Sequence, residues 1–147
     1  MSPLQRFPDW PERLAVFIRD RESLPFNWVT HNCALVACDS VLEMTGTDLA
    51  EAFRGKFTTK FGAIRAVLDY CGGGLEELAD KISREHEIPE INPNLAQRGD
   101  VLLVKQMIPD VSDVALAIMG MNAALATSPA GLTRMPRSSW LRAWRIG

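Results

Sequence analysis

A chain of 147 residues, 47% hydrophobic and 23% charged, is long enough for one domain with a real core and has the make-up of an ordinary globular protein. Its net charge of -2 and pI near 5.7 lack the electrostatic footprint of a nucleic-acid or anionic-membrane binder. No apolar run approaches the roughly 20 residues that span a bilayer, and the N-terminal residues lack a signal-peptide core, so synthesis in the cytoplasm and no membrane span are expected.

Three widely spaced cysteines make no disulfide framework, and Cys38 and Cys71 read as small core residues. The first predicted helix is capped at Asp9 or Trp10, has Pro11 near its first position, carries Leu14, Phe17 and Ile18 on one face, and ends near Arg21 to Ser23. The second starts at Asn32, a strong N-cap residue, and places Cys33, Val36 or Ala37, Ser40 or Val41 and Met44 along one stripe. That pattern predicts a buried central helix led by Cys33. Thr45-Gly46 stops it, and Thr47 caps a short turn from Asp48 to Phe53 that Arg54-Gly55 closes.

A third helix is expected from Lys60 to Tyr70, broken by Gly72-Gly73-Gly74, and a short fourth from Leu75 to Ile82. Glu85 to Gln97, polar and carrying Pro89 and Pro93, reads as a connecting loop. After Arg98-Gly99-Asp100, a turn in which Asp100 bonds neighbouring N–H groups, strands are expected at Val101 to Val104, Val114 to Met119, Ala123 to Thr127 and Gly131 to Met135. A turn of helix over Ser138 to Arg142 and a final edge strand from Ala143 to Ile146 complete a single α+β domain over 1–147, its helical half packed on a small antiparallel C-terminal sheet.

The chemistry concentrates at His31-Asn32-Cys33. Helix-start N–H groups are unpaired and partly positive, so they stabilise a thiolate, and a nucleophilic thiol also needs a base. His31, two residues upstream, is the candidate base if the loop doubles back; the other reading of His31 is that it hydrogen-bonds backbone groups and fixes the helix start. His86 lies in a charged segment, and Asp113 has a poor pKa for deprotonating a thiol. His31, Cys33 and Cys71 lack the spacing of a zinc motif, so neither a metal nor any other cofactor is expected. Trp28, Trp140 and Trp144 read as core or interface anchors.

A cysteine opening a buried helix, followed by Arg98-Gly99-Asp100-Val101-Leu102-Leu103-Val104 opening a sheet, resembles the NlpC-type, papain-like cell-wall peptidases. More closely, the chain is similar to a phage and prophage protein family of unknown function that itself resembles those peptidases. Phe26-Asn27-Trp28, His31-Asn32-Cys33, Thr45-Gly46-Thr47-Asp48, Phe53-Arg54-Gly55, Gly62-Ala63-Ile64-Arg65, Gly131-Leu132 and Ala143-Trp144-Arg145-Ile146 carry that similarity. The resemblance implies a papain-like fold and a phage tail or assembly role, with other tail or assembly proteins as partners and incorporation into a phage particle. The departures bear on activity. Ser112-Asp113-Val114-Ala115 stands where the peptidases place their histidine, and Asn32-Cys33-Ala34-Leu35 where they have Asp-Cys-Ser-Gly. Weak or absent peptidase activity is therefore expected; the alternatives are a peptidase or amidase acting on cell-wall peptide through Cys33 and His31, and a purely structural interaction module.

Overall fold

The computed structural model describes residues 3–147. Four helices come first: α1 (Trp10–Arg21), α2 (Cys33–Thr45), α3 (Lys60–Cys71) and α4 (Leu75–Glu85). The strands β1 (Glu90–Ile91), β2 (Val101–Ile108), β3 (Ser112–Met119), β4 (Ala124–Ser128), β5 (Gly131–Met135) and β6 (Trp140–Trp144) then form one six-stranded sheet. Their order is β1-β6-β2-β3-β4-β5 and every pairing is antiparallel.

α2 is the centre of the molecule. Ten of its thirteen residues are buried, and it packs on α1, β3 and β4. Fully burying a side chain such as Val41 or Met44, both at 0% exposure, contributes about 1.5–3 kcal/mol relative to leaving it in water. The helix ends at Gly46, whose left-handed φ of 78° lets its N–H return to the Leu42 carbonyl. Ala115, Ala117, Ala124 and Ala126 are all buried, so their small side chains let the helical layer approach the sheet closely.

Two buried carboxylates hold the layers together. Asp39 on α2 meets Arg21 at 2.9 Å and Arg54 at 2.6 Å, and Arg54 is also held by Asp48. Asp100, wholly buried, accepts from Gln97 N–H within its own turn, as expected, and also from Ile146 N–H, Arg6 and Arg145. It thus ties both ends of the chain to the start of β2.

Several expectations are corrected. The segment Glu85 to Gln97 is not all loop: α4 runs on to Glu85, and β1 and a 3-10 turn at Pro93–Leu95 follow. β1 has two residues, too few for a periodic pattern, and exists because β6 pairs with it from more than fifty positions away. The last strand is Trp140–Trp144, not Ala143 to Ile146, and it is interior, between β1 and β2. The short helical turn moves back accordingly to Arg137–Ser139. Arg142 fits inside that strand because Glu76, Asp80 and Glu90 neutralise it. The turn after α2 is capped by Asp48, whose Oδ1 accepts from Ala50 N–H, and not by Thr47. Cys71 is half-buried, its thiol donating to the Val67 carbonyl, and within α3 only Ala63 is fully buried.

Candidate functional site

The loop Phe26 to Asn32 builds the approach to Cys33. Asn27 Oδ1 accepts from the Val29 and Thr30 N–H groups, and the Asn27 and His31 backbones exchange two bonds of 2.9 and 3.2 Å. This closes a tight five-residue loop. Asn32 then clamps it to the helix: its Oδ1 accepts from Leu35 N–H at 2.9 Å, and its Nδ2 donates to the Trp28 carbonyl at 2.9 Å. At the other end, Phe26 N–H donates to Ser128 O at the end of β4, so the loop spans from sheet to helix.

Cys33 lies at the junction of two hollows. One, of about 380 Å³, runs along the sheet side and includes Gln106, Ile108, Ala115 and Thr127; the other, of about 140 Å³, lies toward α3 and α4 and includes Ala63, Val67 and Ser112. Phe26, Trp28, Cys33 and Ile108 border both, with the two aromatic rings packed edge to face at 4.9 Å. Trp28 is therefore a half-buried wall of a cleft, whereas Trp144 is a core anchor at 3% exposure.

Cys33 itself is 5% exposed. Burial pushes its thiol above the ordinary value, against the N–H groups of Leu116, Ala34 and Cys33 itself, which favour the thiolate. The helix start does what the sequence implies, but desolvation outweighs it. His31 is also buried, at 4%. Desolvation lowers its pKa, Arg21 adds to that, and Asp39 opposes it. The imidazole thus sits in the electrostatic setting of the Arg21–Asp39 pair. Its Nε2 is buried without a hydrogen-bond partner among the described residues.

The remaining candidates fall elsewhere. His86 caps the C-terminus of α4 and lines a separate hollow with Arg6 and Thr47. Asp113 is exposed on β3, and at the strand start Ser112 and Ala115 are the residues that reach the cleft. Among the described residues, no imidazole or carboxylate lines either hollow beside the sulfur. Among the described residues no group of three His, Cys, Asp or Glu side chains is placed to hold a metal ion, and no helix is long and apolar enough to cross a membrane.

Sequence reasoning missed Lys60, Gln106 and Thr127. Lys60 opens α3, and its ammonium lies 5.2 Å from the centre of the Trp28 ring. Gln106 belongs to the stretch of β2 beyond the expected strand end, and its Nε2 donates to the Thr127 carbonyl at 3.3 Å. Gln106 Oε1 and Thr127 Oγ1 are buried without partners among the described residues. Nothing in the local sequence marks these three, because only the folded sheet and α3 bring them to Cys33.

Residues 5–146 match the family model described as a domain of unknown function (DUF6950), and the chain belongs to that family. No curated protein matches it.

Proposed function

For this member of a family of unknown function, we propose, from its sequence resemblance to NlpC-type peptidases, a phage or prophage protein of the tail or its assembly machinery, built on an NlpC-like, papain-like peptidase fold with weak or absent turnover. One observation carries the loss of activity. The cleft has a cysteine at the start of a buried helix, yet Ser112 and Ala115 reach it from β3 and, among the described residues, no histidine does. A nucleophile whose thiol is pushed up by burial and which has no adjacent base attacks an amide slowly. The tail or assembly role rests on the sequence resemblance alone.

The test pairs turnover with thiol reactivity. Purified protein incubated with peptidoglycan stem peptides should release no more product than Cys33→Ala. Iodoacetamide near neutral pH should label Cys33 no faster than Cys38, whose thiol burial also raises strongly. Hydrolysis that disappears in Cys33→Ala, or rapid single-site alkylation of Cys33, overturns the inactive reading in favour of a cysteine peptidase or amidase. The phage setting is checked by gene neighbourhood: tail genes on either side support it, and unrelated chromosomal genes count against it.

A further inference from the structure

The larger hollow beside Cys33 has an unusual set of unmet demands. Among the described residues, Lys60 is the one ionised side chain lining it, and no carboxylate is in its walls. That lysine occupies the first residue of α3, where the helix dipole disfavours a cation, and no salt bridge holds it there among the described residues. An anion seated beside it would meet both the ammonium and the positive end of the helix. Thr127, which also lines the hollow, is 5% exposed with a hydroxyl unpartnered among the described residues, and Gln106 carries a buried carbonyl oxygen that can only accept. Buried polar groups left unpaired are costly, so this pair calls for a ligand that offers a donor to Gln106 and an acceptor to Thr127. The lining also includes Phe26, Trp28, Ile108 and the highly exposed Met107, an apolar and adaptable wall.

We propose that this hollow binds the C-terminal residue of an apolar peptide, held without covalent chemistry. The terminal carboxylate pairs with Lys60, the apolar side chain packs on Phe26 and Trp28, and the peptide N–H is accepted by Gln106 Oε1 while the Thr127 hydroxyl donates to the preceding carbonyl. Gln106 is anchored by a single long bond of 3.3 Å, so a side-chain rotation brings its buried oxygen to the surface when a donor arrives. A carboxylate beside an amide N–H and an apolar side chain is found together at a chain terminus, which sets this ligand apart from an internal peptide segment. The inference rests on reading the cleft as a binding site that has outlived its catalysis.

Isothermal titration with N-acetyl-alanyl-leucine and its C-terminal carboxamide tests this. The free acid should bind about tenfold more tightly than the carboxamide, the factor expected of one charge-assisted contact. Lys60→Gln, at a half-buried helix start, should abolish that preference, so that acid and carboxamide bind with equal affinity. Thr127→Val, which keeps the shape and removes the unpaired hydroxyl, should weaken both ligands about fivefold without lowering the melting temperature. Equal affinity of acid and carboxamide, no saturable binding at millimolar concentration, or a preference that survives Lys60→Gln overturns the proposal. Hydrolysis of the acylated dipeptide would instead refute the inactive reading of Cys33, and mass spectrometry of the titration mixture separates the two failures.

Discussion

Replacing Asp100 by Asn removes one charge from a wholly buried site without changing its shape. One carboxylate oxygen accepts from Arg6 at 3.3 Å and Ile146 N–H at 3.1 Å; the other accepts from Gln97 N–H at 2.8 Å and Arg145 at 3.1 Å. Whichever oxygen becomes an NH₂ group, it faces one guanidinium and one backbone N–H, so two donors lose their acceptor at once. A hydrogen bond to a charged group contributes about 1.5–3 kcal/mol and a neutral one about 0.5–1.5 kcal/mol, while breaking a buried ion pair from one side costs about 3–5 kcal/mol. Arg6 and Arg145 keep 15% and 33% side-chain exposure, so water relieves part of the loss. The lower end, about 3 kcal/mol, is expected. At about 2–4 °C per kcal/mol for a chain of this size, the melting temperature should fall by about 6–12 °C. Thermal and urea unfolding followed by circular dichroism measure it, with exposed Asp113→Asn as the control expected within about 0.5 kcal/mol of the parent. A loss below about 1 kcal/mol for Asp100→Asn would refute the reasoning that this carboxylate ties the chain ends to the sheet.

Asn32→Ala removes both the helix cap and the bond to Trp28 O, and should cost about 1–2 kcal/mol in urea unfolding, with faster amide exchange at Leu35. Gly131→Ala should be among the most damaging single-methyl additions, by about 2–4 kcal/mol, because φ is 116° and a Cβ would overlap the Glu22 carbonyl oxygen; an unchanged melting temperature would exclude this close approach. For His31, the folded-state pKa lies below the unfolded value near 6.5, so the unfolded chain binds more protons in the window below it. Stability linked to the neutral imidazole is therefore full above about pH 6.5 and is lost as pH falls below it. His31→Gln should flatten that acid limb, as read from urea midpoints between pH 7 and 5, and an equally steep limb would show that the imidazole is not the titrating group.

The helices were legible because they carry local instructions: the Asn32 cap, the Gly46 stop and the Gly72 to Gly74 break. The edges of the sheet were less so. β1 is too short to signal itself, and β6 was misplaced because Arg142 breaks its apolar pattern until α4 and β1 supply the carboxylates that neutralise it.

At the site the division is the same. By itself the sequence determined that a thiol opens a buried helix behind an asparagine cap, since capping and amphipathic spacing act over three or four residues. Only the tertiary structure decided what surrounds that thiol. Burial overrides the helix start and raises its pKa, His31 falls under the influence of Arg21 and Asp39, and Lys60, Gln106 and Thr127 arrive from three separate elements. Desolvation and through-space charge depend on distance in the folded molecule, and separation along the chain carries almost none of that information.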